Sequence, residues 1–123
     1  MDNYNSRGNL KDMIQTLSPR EAAQRIGEGH LEVIDVREAQ EWCSGHIAGA
    51  RWVPLALLRA NPASALPRDG VLFVCAAGVR SEAAARVALS TGLRDVYNLS
   101  GGTRAWSREG LPLEHEEVVT AAE

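Results

Sequence analysis

The chain has 123 residues, 45% of them hydrophobic and 24% charged, which is one domain's worth of core and too little charge bias for wholesale disorder. A formal net charge of -3 argues against nucleic-acid binding and against a basic membrane-surface protein, and no apolar run approaches the length of a membrane helix. Two cysteines make neither a disulfide framework nor a structural zinc site, and His30, His46 and His115 are not at metal-ligand spacing.

Residues 1–13 are polar, lack an apolar signal core and read as a mobile lead-in to a cytoplasmic, soluble protein. A domain over 14–113 follows, and then an acidic tail over 114–123. The first firm element opens at Ser18-Pro19-Arg20-Glu21, a capping box with proline at the first helical position. Ala22, Ala23 and Ile26 share a face of that helix, which stops near Gly27 to Gly29. Leu31 to Val36 is a β-branched run and predicts a strand. A short acidic helix is expected over Ala39 to Cys43, a short strand over Ala50 to Val53, and a brief helix over Leu55 to Arg59. Pro62 to Gly70 reads as a loop.

Val71-Leu72-Phe73-Val74 is continuously apolar, as a strand buried on both faces requires. Cys75 ends it and Gly78 marks a tight turn. Arg80 to Ser90 predicts a helix with Ala83, Ala84, Val87 and Ala88 at helical spacing and Gly92 as its stop. A strand over Asp95 to Leu99 and a helix over Thr103 to Arg108 complete the chain. Strands alternating with helices give an α/β fold with a largely parallel sheet.

Cys75 falls where such sheets collect ligands, at the carboxyl end of a strand and ahead of a helix. The loop Cys75-Ala76-Ala77-Gly78-Val79-Arg80 is short enough to turn several backbone N–H groups toward one centre. That field lowers a thiol's pKa, Arg80 adds positive charge, and the result is an activated nucleophile inside an anion cradle. Attack on phosphorus and attack on sulfur both use such a cradle. Cysteine-dependent phosphatases place one more residue between cysteine and arginine than the four found here, and Ser81 stands where their arginine would be. The shorter loop suits a lone sulfur better than a tetrahedral phosphate.

With those residues in view, the chain resembles the rhodanese family. Val33-Ile34-Asp35-Val36-Arg37-Glu38 is similar to its first signature, and Glu41-Trp42 through Gly45-His46-Ile47-Ala48-Gly49-Ala50 to its second. Cys75 to Ser81 resembles the active-site loop with the hydroxyl residue that follows it. Asn98-Leu99-Ser100-Gly101-Gly102, Trp106 and Gly110-Leu111-Pro112 resemble the closing signature. The resemblance implies a three-layer fold with a five-stranded, mostly parallel sheet flanked by helices. It implies a sulfurtransferase: the Cys75 thiolate takes sulfur from a small anionic donor such as thiosulfate and passes it from a persulfide to cyanide or a thiol, without metal or organic cofactor. Ala76, Ala77, Gly78, Val79, Arg80 and Ser81 would form the substrate-binding loop, and their amides would hold the persulfide's charge. A relay to a thiol-carrier protein and a non-catalytic redox or binding module are the alternatives. A mercaptopyruvate-specific loop resembles C-G-S-G-V-T, from which this chain departs at Ala76, Ala77 and Arg80.

The remaining candidates read more plainly. A cation at a helix start is disfavoured by the dipole, so Arg80 is read as serving the substrate or persulfide rather than an ordinary salt bridge. Asp35 and Arg37 are read as mainly structural support for loops near the site. His46 is expected to stabilise a turn by hydrogen bonding, and Trp42, Trp52 and Trp106 to pack in core or rim. Cys43 is expected to be a partly buried packing residue, with a resolving thiol as the sharper alternative.

Overall fold

A computed structural model describes residues 10–65 and 69–115. The sheet has five strands: β1 (Gln15–Leu17), β2 (Glu32–Asp35), β3 (Arg51–Trp52), β4 (Val71–Val74) and β5 (Val96–Leu99). Their order is β1-β5-β4-β2-β3, and every pairing is parallel. Among the described residues, six α-helices accompany them: α1 (Pro19–Gly27), α2 (Ala39–Ser44), α3 (Leu55–Ala60), α4 (Pro62–Ala65), α5 (Val79–Ser90) and α6 (Gly102–Arg108). Among the described residues, no helix is long and apolar enough to cross a membrane.

The apolar run at 71–74 becomes the central strand β4, and none of its four residues is exposed. Side chains alternate across a strand, so β4 feeds two cores. Val71 and Phe73 pack with Ile34, Leu58, Ala65 and the alanines of α5. Leu72 and Val74 pack with Ala22 of α1, Leu99 and Trp106 of α6. The sheet is therefore the middle of three layers, with α3, α4 and α5 on one face and α1 and α6 on the other. Helix α5 buries Ser81, Ala84, Ala85 and Ala88, a stripe three and four residues apart. Small side chains let the helix lie close to the strands, and Ser81 heads the stripe on the turn nearest Cys75.

The capping box at α1 is present: Ser18 Oγ accepts from Glu21 N at 3.1 Å and Ser18 N donates to Glu21 Oε1 at 2.9 Å. Three segments differ from the sequence reading. Leu10–Met13, taken as the end of the lead-in, form a 3-10 turn, and Leu10 packs on the α5-side core. Gln15–Leu17, ahead of the first expected element, form the edge strand β1 against β5. Pro62–Ala65, taken as loop, form α4, and Ala65 is buried. Residues 1–9 of the lead-in, 66–68 of that loop and 116–123 of the acidic tail lie outside the described residues. The tail's first residue, Glu114, is anchored by two backbone hydrogen bonds with His46, at 2.7 and 2.8 Å.

Candidate active site

All five strands point the same way, so their carboxyl ends share one edge. Cys75 lies just past the end of β4 on the side of Phe73, facing α5, and is 1% exposed. The chain then turns through Gly78, whose φ of 106° is open to glycine, and enters α5. This wraps the loop amides around the sulfur. Gly78 N donates to Cys75 Sγ at 3.1 Å and Ser81 N at 3.3 Å, and Ser81 Oγ lies 3.2 Å from it. Burial pushes the Cys75 thiol up, but the Ser81 hydroxyl and the amides of Ser81, Gly78 and Ala77 outweigh it, and the pKa lies below that of an ordinary thiol.

The outward side of the loop is fixed by the β5–α6 turn. Thr103 N donates to Cys75 O at 2.8 Å and Arg104 N to Ala76 O at 3.1 Å. With those carbonyls turned outward, the following amides are free to face the sulfur. The approach is so close that a Cβ on Gly102 would overlap Cys75 O and the Ala76 carbonyl. The Gly101-Gly102 pair is thus the surface on which the loop is seated.

The sequence-predicted residues divide into two groups. Cys75, Ala76, Ala77, Gly78, Val79, Arg80 and Ser81 do form one continuous loop and helix start. Ser81 is fully buried against the sulfur, whereas Val79 is 76% exposed at the mouth. Arg80 forms a two-pronged ion pair with Glu41 of α2, at 2.7 and 2.8 Å, and that pairing raises the arginine's pKa. Its charge is therefore already matched by a carboxylate.

Asp35 and Arg37 lie on the other face of the sheet. Asp35 is in register with Val74, and its carboxylate accepts from Arg37 Nε and Nη2 at 2.9–3.1 Å with both side chains buried. Arg37 Nη2 also donates to Gly45 O at 2.7 Å, tying the end of α2 to the sheet. Among the described residues, neither bonds to Cys75 or its loop. His46 is buried, stacks on Trp42 with ring centroids 3.6 Å apart, and places Nδ1 3.0 Å from Trp42 O. Trp106 is core and Trp52 is rim, 38% exposed. Cys43 departs from expectation: it is exposed, because it falls on the solvent side of the six-residue helix α2. Among the described residues, no cluster of three or more His, Cys, Asp or Glu is arranged to hold a metal.

Two residues were missed as site residues. Glu41 pairs with Arg80, and it stands at the third position of α2, where its Oε1 accepts from Glu38 N at 3.0 Å. Asn98, in β5, is in register with Phe73 and so faces α5. It accepts from Ser81 Oγ at 2.5 Å and donates to Gly78 O at 3.1 Å.

The model for the rhodanese-like domain matches residues 18–109. The chain belongs to the rhodanese-like domain family. Among rhodanese relatives, the thiosulfate sulfurtransferase GlpE of Pseudomonas aeruginosa is 32% identical over 97 residues, spanning 79% of this chain and 87% of that protein. The Mycobacterium tuberculosis protein named Probable adenylyltransferase/sulfurtransferase MoeZ is 38% identical over 101 residues, and the chain spans 26% of its length. A rhodanese-related protein from Thermoplasma volcanium superposes with a TM-score of 0.75 at 31% identity, covering 83% of this chain and 99% of that one. The rhodanese fold read from the four sequence segments is the fold of the chain, with a sheet that is parallel throughout.

Proposed function

We propose that this protein is a sulfurtransferase that moves sulfane sulfur from thiosulfate, or a similar small anionic donor, to cyanide or a thiol through a persulfide on Cys75. The observation that carries this reading is the ring of polar groups on Cys75 Sγ: two backbone amides donate to it at 3.1 and 3.3 Å, and the Ser81 hydroxyl lies 3.2 Å away. Such a ring favours an anion on sulfur and holds it in place.

In the first step the Cys75 thiolate attacks the outer sulfur of the donor. A sulfur–sulfur bond forms to Sγ, the donor's own sulfur–sulfur bond breaks, and sulfite leaves with the electron pair. The loop amides from Ala76 to Ser81 then receive the charge of the terminal sulfur. In the second step the acceptor attacks that terminal sulfur, and the bond to Sγ breaks to regenerate the thiolate. The likeness to GlpE, named a thiosulfate sulfurtransferase, supports thiosulfate as donor.

A relay to a thiol on a partner protein is the second reading. Ala76, Ala77 and Val79 offer no polar side-chain atom to a small acceptor, while Val79 stands exposed at the mouth. The likeness to MoeZ, a longer protein, fits such a relay.

Thiocyanate release from thiosulfate and cyanide tests the proposal. The wild type should turn over repeatedly and Cys75→Ser should not. Absence of thiocyanate together with Cys75-dependent hydrolysis of an aryl phosphate would replace sulfur with phosphorus.

A further inference from the structure

Asn98 has no part in the reaction as written, yet it is buried beside the thiol with both ends of its amide engaged. Nδ2 donates to the carbonyl of Gly78, a group that only accepts. That contact fixes which way round the amide sits. Oδ1 therefore faces Ser81, and the Ser81 hydroxyl must be the donor across their 2.5 Å contact. The same Oγ lies 3.2 Å from Cys75 Sγ. A serine hydroxyl has one hydrogen, so it serves Asn98 or the sulfur but not both.

The geometry points to Asn98 as a positioning residue that, by claiming the Ser81 hydrogen, opposes the thiolate of Cys75 and favours the two forms in which Sγ carries no charge, the thiol and the persulfide. In the thiol form the S–H donates to Ser81 Oγ, the hydroxyl donates to Asn98 Oδ1, and the amide donates to Gly78 O. Every group in the chain is satisfied. When the thiol proton leaves to solvent, Sγ becomes an acceptor only. The hydroxyl must then turn to the sulfur and leave a buried amide oxygen without its donor, or stay and present a lone pair to an anion. Once a persulfide forms, the charge moves to the terminal sulfur and the hydroxyl returns to Asn98. Asn98 thus tilts the cysteine toward holding sulfur and away from standing as a bare thiolate. This role rests on the sulfur-carrying reading, but the coupling itself belongs to the free thiol.

The charged groups on the elements around the thiol are Arg80, Glu82 and Arg86 on α5, Glu41 on α2 with Glu38 at its cap, Arg104 and Arg108 on α6, and the Asp35–Arg37 pair at the end of β2. Substitutions at 81 and 98 leave all of them in place.

The test is a thiol titration, read by thiolate ultraviolet absorbance, in a Cys43→Ser background that silences the second cysteine. Asn98→Leu should lower the Cys75 midpoint by about one unit when Ser81 is present and leave it unmoved in Ser81→Ala. A raised or unchanged midpoint with Ser81 present overturns the proposal, as does an equal fall in both backgrounds. If Asn98→Leu does not fold, Asn98→Asp serves instead. Its carboxylate claims the hydrogen more strongly, so the midpoint should rise further with Ser81 than in Ser81→Ala, and an equal rise overturns the proposal. No sulfur donor is used, so failure of sulfur transfer and failure of this coupling are separate results.

Discussion

The guanidinium of Arg80 and the carboxylate of Glu41 face one another as a two-pronged ion pair, Nη1 to Oε1 at 2.7 Å and Nη2 to Oε2 at 2.8 Å. It joins α5 to α2 across 39 positions of chain. Each side chain is about a third exposed. The Arg80 hydrogen bonds hold Glu41 down at about 2, from an ordinary 4.5. A carboxylate depressed on folding stabilises the fold above its unfolded pKa and loses that contribution as pH falls through the folded one.

Glu41→Gln should therefore be less stable than wild type at pH 7 by about 1 kcal/mol, a figure that allows for solvent screening of a partly exposed pair. The gap should close as pH falls from about 4.5 to about 2, where wild-type Glu41 is itself protonated. Denaturant midpoints across that range check it. A gap as large at pH 2 as at pH 7 would contradict the pairing.

Gly102→Ala should disable the site more than any other glycine substitution in a positive-φ turn. Its Cβ would overlap the Cys75 and Ala76 carbonyls, whereas one on Gly92, at a φ of 107°, meets nothing within 4 Å. Gly92→Ala should cost only backbone strain, about 1 kcal/mol, while Gly102→Ala should cost about 3 kcal/mol and displace the loop. Thermal unfolding and the rate of Cys75 alkylation measure both effects. Equal losses at the two positions would remove the seating role of Gly102.

Arg37→Met should leave the buried Asp35 carboxylate unpaired and cost about 3–5 kcal/mol. The double variant with Asp35→Asn should recover part of that loss. Since, among the described residues, neither side chain hydrogen-bonds to Cys75, folded protein from the double variant should keep turnover within a few-fold of wild type. A loss of several orders of magnitude in kcat, with the fold intact, would place the pair in the chemistry.

Much of this architecture is written locally. The unbroken run Val71–Val74 specifies a strand buried on both faces, and Ser18 with Glu21 specifies where α1 begins. The position of the proposed nucleophile is legible too, since Cys75 closes that strand and Gly78 opens the next helix. β1 was not legible because only Leu17 of its three residues is buried, so no alternation marks it. α4 was not legible because Pro62 and the small residues after it carry loop composition. The site's long-range partners leave still less trace. Glu41 meets Arg80 from 39 residues away, and Asn98 meets Ser81 from 17, so nothing in either local pattern announces the contact. Arg80 is a disfavoured cation at the start of α5, and the carboxylate it meets, Glu41, lies on a different helix.

The most direct test of Cys75 as the sulfur carrier is the intact mass of the protein after incubation with thiosulfate and removal of excess donor. The wild type and Cys43→Ser should each gain the mass of one sulfur atom, cyanide should reverse the gain, and Cys75→Ser should remain unchanged. A wild type that gains nothing, or a gain that survives in Cys75→Ser and disappears in Cys43→Ser, would contradict the account.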